Sequence, residues 1–230
     1  PPLKGAGPGN EAAHSGQRDE AVLNNRSNPF VAREGMPFIA AVVLAILASW
    51  QFDQLFFSAP LLLLLGWLVL VFRDPIRAVP AVPLGVVSPV DGVVTEVSLT
   101  DSGALEEEAH RIVVRVNSLG TYTARCPTEG KIMDFSAAVP EAAAIGSASG
   151  LWVQTDEGDD VILKFRGHRF GFAPRAFLGY GERVGQGQRC AYLRLTRLAE
   201  VQLPINSRVQ VEVGQAVSAG VDVLAKLPHP

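Results

Sequence analysis

The sequence predicts a mainly β protein: a sandwich-like β domain, of barrel or hybrid type, preceded by a membrane α-helical hairpin. Three observations carry this expectation. Two nearly uninterrupted apolar runs lie early in the chain, short β-patterned segments bounded by Gly and Pro fill the chain after residue 84, and two turn motifs are each repeated.

The chain has 230 residues, enough for one domain of ordinary size plus extra segments. Hydrophobic residues make up 48% and charged residues only 19%, so surplus apolar content must sit somewhere particular. It sits between residues 36 and 72. The formal net charge of -3, without a long basic stretch or basic-aromatic interleaving, excludes nucleic acid as the expected partner. Cys126 and Cys190 stand far apart without metal spacing, so two reduced thiols are expected, with neither a disulfide framework nor a metal site.

Residues 1–32 read as a disordered tail, rich in Gly, Pro, Asn, Ser and charge with no hydrophobic period and no signal-peptide pattern. Residues 33–74 hold the apolar runs MPFIAAVVLAILASW (36–50) and LFFSAPLLLLLGWLVLVF (55–72), joined by QFDQ. The second is about as long as a membrane helix, whereas the first is short for a hydrocarbon core of about 30 Å. Full crossing and entry into one leaflet both remain open, and a helical hairpin buried in a globular core is the non-membrane alternative. Arg26, Arg33, Arg73 and Arg77 flank the outer ends while the turn offers only Asp53. Both ends, and the β domain, are therefore expected on the cytoplasmic side of the inner or cell membrane.

Residues 75–230 form the β domain, with strand patterns such as GVVTEVSL, HRIVVRV, DVILKF, AYLRL and AEVQLP, and one short Gly-broken helical candidate, EAAAIGSASG. Pro89-Val90-Asp91-Gly92 is echoed by Pro127-Thr128-Glu129-Gly130, where glycine is expected to take the positive φ of a turn. GERVGQG (181–187) is echoed by GQAVSAG (214–220), tight reversals that resemble those of biotinyl and lipoyl carrier domains, although no carrier lysine is present.

In order, Gly35-Met36-Pro37-Phe38-Ile39, the hairpin, Phe72-Arg73-Asp74-Pro75 with Arg77 and Pro80, VVSPVDGVV, Arg125-Cys126-Pro127 through Lys131, GERVGQGQR, LRLTRLAEVQLP and VEVGQAVSAGVDVL resemble the short form of phosphatidylserine decarboxylase. The likeness runs from about residue 33 to residue 227, loosely over 135–178. It implies a lyase of phospholipid biosynthesis that forms phosphatidylethanolamine with a pyruvoyl group made from its own backbone. In that family a serine after glycine attacks its upstream carbonyl, aided by an Asp and a His, and the ester eliminates to leave a ketone that captures the substrate amine.

The ungapped register retains Asp91 as the acidic member, puts Tyr122 in place of the histidine, and puts Thr196 and Arg197 in place of the Gly-Ser pair. Arg197 has no β-leaving oxygen, and a tyrosine titrating near ~10 is a poor base. An acidic and Asn-rich family stretch is also missing near residues 145–150. The expectation is a degenerate, non-processing member without a cofactor, a pseudoenzyme that binds aminophospholipid or pairs with an active homologue or a second copy. The alternative is an active decarboxylase processed at Thr196, which needs a one-residue register slip. Gly146-Ser147 reads as an ordinary loop, and His168 as solvent-facing or bonded to backbone. Arg73 and Arg77 are expected at the lipid headgroups, and Arg166, His168, Arg169 and Arg175 form a second basic cluster beside Phe165, Phe170, Phe172 and Phe177. That cluster either dips into the interface or divides into core phenylalanines and solvated arginines. Arg197 is further expected to pair with Asp91.

Overall fold

The computed structural model describes residues 30–51, 56, 58–101, 107–133, 150–167 and 172–228. The tail up to residue 29, residues 141–149 of EAAAIGSASG with Gly146-Ser147, and His168, Arg169 and Phe170 lie outside the described residues.

A 3₁₀ turn at Arg33–Gly35 leads into helix α1, Met36–Gln51, and helix α2 covers Ser58–Val71. The turn and α1 together, Arg33–Gln51, make one 19-residue segment long and apolar enough to cross a membrane. The expected order of lengths is reversed: α2 has 14 described residues, about 21 Å at 1.5 Å per residue. Neither helix packs into the β domain, since Ile46 is the one buried residue of α1 and α2 has none. A hairpin inside a globular core is thereby set aside.

Among the described residues fourteen strands follow: β1 Gly85–Val87, β2 Gly92–Thr100, β3 Ala109–Val116, β4 Thr123–Arg125, β5 Gly130–Met133, β6 Gly150–Gln154, β7 Asp160–Arg166, β8 Arg175–Ala176, β9 Arg183–Val184, β10 Arg189–Tyr192, β11 Leu198–Pro204, β12 Arg208–Val209, β13 Ala216–Val217 and β14 Val223–Lys226. They form an eight-stranded antiparallel sheet, β13-β2-β3-β11-β7-β6-β5-β9, and two three-stranded sheets, β1-β14-β12 and β4-β10-β8. No closed barrel results. Val94, Ile112, Leu163, Phe165, Val201 and Leu203 of the large sheet meet Val86, Ala124, Leu193 and Leu224 in one core. Phe165, expected in an interfacial loop or the core, is in the core.

Both sequence repeats are structural. Ser88 N donates to Asp222 O and Gly220 N to Ser88 O; in the second copy Cys126 N donates to Gln188 O and Gly187 N to Cys126 O. The copies grip each other, Val87 N on Pro127 O and Arg125 N on Pro89 O, both at 2.8 Å. Close approach explains their glycines better than a turn does. A Cβ on Gly92 would lie 2.1 Å from Arg115 O, and one on Gly130 2.2 Å from Gln154 O, while only Gly130 of the two has a positive φ. The fold also brings together the two cysteines that the sequence separates: Cys126 and Cys190 are fully buried and share a side-chain hydrogen bond.

The hairpin is tied to the domain at its neck. Ala32 N donates to Phe72 O and Asp74 N to Phe30 O, closing a β-bridge between Val31 and Arg73. Below it Asp74, 0% exposed, accepts from Thr123 Oγ1 at 2.5 Å and pairs with Arg189 at 2.7 Å and Arg125 at 3.5 Å. Burial pushes the Asp74 carboxyl up, against the Thr123 hydrogen bond and the two guanidiniums that favour its ionised form. Removing one partner of a buried pair strands the others, at about 3–5 kcal/mol. Asp74→Ala is therefore expected to lower the unfolding free energy by that amount, read from denaturant unfolding, with Arg125→Met alone comparably harmful and the double variant less than additive.

Candidate functional site

The residues that the sequence singles out gather where the hairpin leaves the β domain, each set by a different element. Asp91 sits in the turn before β2, held there because Gly92 lets β3 approach; Asn117 N donates to its carbonyl. Its carboxylate is fully engaged. Oδ1 accepts from Ala219 N at 2.7 Å, and Oδ2 from Thr121 N at 2.9 Å and Arg77 at 2.7 Å. The expected partner is corrected: Arg77 turns inward to Asp91 instead of outward to lipid, and Arg197 is exposed and makes no ion pair with Asp91. Arg77, two residues after Pro75, fills the carboxylate at 2.7 Å, and Arg197 at the neck end of β11 stays exposed.

Tyr122 stands just before β4. Its ring packs on Phe72 at 4.7 Å and Tyr192 at 5.9 Å, and its hydroxyl donates to Glu34 at 2.9 Å. Burial, and then the hydrogen bond to Glu34, push the phenol well above its ordinary value, so it holds its proton. Glu34 in turn receives a two-pronged contact from Arg194, at 2.7 and 3.2 Å. A third guanidinium bond runs from Arg194 to Ala173 O at 3.2 Å.

LRLTRLAEVQLP is not one strand. β10 ends at Tyr192, residues 193–197 reverse the chain, and β11 begins at Leu198. Arg194 has φ 51°, a left-handed conformation costly for a side chain with a Cβ, and its three bonds hold it there. Thr196 is buried, its hydroxyl donating to Leu193 O at 2.6 Å and its N–H to the same carbonyl at 3.0 Å. Arg197 is fixed through its backbone only, its carbonyl accepting from Val116 N at 2.8 Å. Asp91, Tyr122 and the 193–197 turn are thus neighbours: Leu193 N donates to Tyr122 O at 2.9 Å, Arg194 and the Tyr122 hydroxyl meet over Glu34, and Asp91 is tied to the adjoining Thr121 N. The space left between Arg33, Asp74, Thr123 and Tyr192 is about 10 Å³, room for no more than a water.

Elsewhere, Arg73 donates to Leu119 O at 3.1 Å. Arg166 is half exposed and pairs at 3.2 Å with Glu200, a residue of the central strand β11 that is 1% exposed. Among the described residues no cluster of His, Cys, Asp and Glu is placed to hold a metal ion. Glu34, Arg194, Arg125 and Arg189 were not given roles from sequence; the signal present was the Arg125 of R-x-P and the Arg194 that frames the family strand.

The chain is 32% identical over 214 residues to the phosphatidylserine decarboxylase proenzyme of Burkholderia ambifaria (strain MC40-6), covering 88% of this chain and 99% of that one. The proenzyme of the same name from Burkholderia mallei (strain SAVP1) is 32% identical over 216 residues, 89% of this chain and 99% of its own. The chain belongs to the phosphatidylserine decarboxylase family. No family model matches it. Among solved structures, glucose permease IIA from Mycoplasma capricolum aligns with a TM-score of 0.42 at 17% identity over 62% of this chain and 94% of that one.

The Tyr122–Glu34 bond is testable. Tyr122→Phe keeps the ring stack and removes one hydrogen bond to a charged group, an expected loss of about 1.5–3 kcal/mol at neutral pH. Because the folded phenol titrates above its unfolded value, its contribution is complete below about pH 10 and fades as pH rises through the folded value. The stability gap between wild type and variant, followed by urea unfolding at rising pH, is expected to narrow above pH 10 and not below it.

Proposed function

We propose that this chain is a non-processing, membrane-anchored member of the phosphatidylserine decarboxylase family. It serves phosphatidylethanolamine biosynthesis by binding aminophospholipid or by pairing with an active homologue or a second copy. The observation that carries the reading is the turn at 193–197. The family's self-cleavage needs a hydroxyl oxygen free to attack the preceding carbonyl, and then a β-leaving oxygen. Arg197, in the serine register, has neither. Thr196 has a hydroxyl, but it is buried and its proton is committed to Leu193 O at 2.6 Å.

Activation fails for a parallel reason. Tyr122 holds its proton and faces Glu34, and Asp91 has its oxygens filled by Arg77 and two backbone N–H groups. These residues do not fit a pyruvoyl group or its formation. The anchoring part of the reading rests on the apolar segment Arg33–Gln51, and the flanking arginines favour a β domain on the cytoplasmic side.

On a denaturing gel, and by intact-mass measurement, the purified chain is expected to run whole at 24.5 kDa, with Thr196→Ala unchanged from wild type. A fragment pair from cleavage between Leu195 and Thr196, absent in Thr196→Ala, would overturn the reading in favour of processing at threonine.

A further inference from the structure

The strands of the large sheet run between two poles of opposite charge. β2 starts at Gly92 beside the neck and ends at Thr100; β3 returns from Ala109 to Val116; β11 runs from Leu198 out to Pro204, and β7 from Asp160 back to Arg166. The far pole, roughly 25 Å away at ~3.3 Å per residue, carries Glu107, Glu108, Asp159 and Asp160 around an open cleft of about 210 Å³, with Asp156 and Glu157 on the adjoining turn. The neck pole carries exposed Arg33, Arg115, Arg175 and Arg197 and half-exposed Arg166. Its acids are already matched: Glu34 to Arg194, Asp91 to Arg77, and Asp74 to Arg125 and Arg189. The end from which the apolar helices emerge thus carries five outward arginines, while the other exposed cations, Lys131, Arg183, Arg208 and Lys226, lie on β5, β9, β12 and β14, with Arg183 paired to Asp156.

Exposed apolar side chains mark the same end. Leu119 is 50% exposed, Leu195 42% and Phe172 55%, and each belongs to a segment bonded to the neck, through Arg73 on Leu119 O and Arg194 on Glu34 and near Phe172 on Ala173 O. Exposed apolar residues such as Leu99 occur at the far pole too, but there they sit among carboxylates. Charge separates the two ends. Helices that leave through a ring of arginines and apolar loop tips place that ring at the lipid surface, where cations meet anionic headgroups and apolar tips sink below them.

We propose that the neck pole of the β domain is itself a lipid-contact surface, with Leu119, Phe172 and Leu195 immersed among the headgroups of an anionic leaflet and Arg115 and Arg197 facing lipid phosphate. The substitution that removes the serine thereby supplies a headgroup-facing cation. This rests on the hairpin anchoring put forward above. The test reconstitutes the full chain in vesicles of phosphatidylcholine with phosphatidylglycerol and places an environment-sensitive fluorophore on Leu195→Cys, Leu119→Cys or Leu99→Cys. Cys126 and Cys190, being fully buried, stay unlabelled in the folded protein. Expected are a blue-shifted emission and strong quenching by shallow spin-labelled lipid at positions 195 and 119, with solvent-like emission at 99, and a smaller shift at 195 in pure phosphatidylcholine. Labels at 195 and 119 that stay solvent-like on protein floating with the vesicles overturn the proposal and leave the anchoring intact. A chain that does not float overturns the anchoring and this proposal with it.

Discussion

Everything at the neck depends on Asp74 being paired. A carboxylate with no exposed surface is tolerable only when its oxygens are filled, and Thr123, Arg125 and Arg189 come from β4 and β10 to fill them. Three loosely related pieces become one body through that demand: the chain leaving α2, the first repeat's partner strand and the reversal that precedes β10. Asp74 N donates to Phe30 O, so the strand entering the hairpin is fixed by the same residue as the strand leaving it. Arg125 also reaches Pro75 O and Gly187 O, linking the neck to the second repeat.

On that base a second layer of pairing closes the region around Tyr122. Tyr122 requires an acceptor for a buried hydroxyl and finds Glu34; Glu34 requires a cation and finds Arg194; Arg194 must leave the strand in a left-handed conformation to reach it. The chain of requirements connects the 3₁₀ turn before α1 with the turn before β11. It also supports the proposed non-processing reading, because Tyr122 is committed to a bond that holds the hairpin.

The fold was legible in the sequence where the signal is local. Apolar runs, period-two strands and the repeated P-x-acid-G and G-x-x-V motifs all correspond to observed elements. The candidate site was legible in outline only, since register placed Asp91, Tyr122, Thr196 and Arg197 at the neck but could not assign their partners. L-R-L-T-R-L alternates like a strand, so the reversal at 193–197 was hidden, and nothing about an arginine announces φ 51°. Arg77, not Arg197, fills Asp91 because the neck brings together residues 14 apart, a contact decided by where the hairpin docks. Glu34 is a single acid in a three-residue turn, and its role exists only once residues 122 and 194 are beside it.

The same coupling bears on the proposed absence of self-processing. In this arrangement a serine at position 197 alone would add a hydroxyl on an exposed backbone corner, with Asp91 already occupied and Tyr122 still protonated. A histidine at 122 alone would forfeit the phenol's bond and leave Glu34 to Arg194. No single change supplies a nucleophile, a base and a free carboxylate together, because the changes fall at separate positions and Asp91 stays filled by Arg77 and two backbone N–H groups in each case. The neck is held in its present form by the interactions that hold the hairpin to the domain, so stability there and the proposed absence of self-processing would have one physical origin.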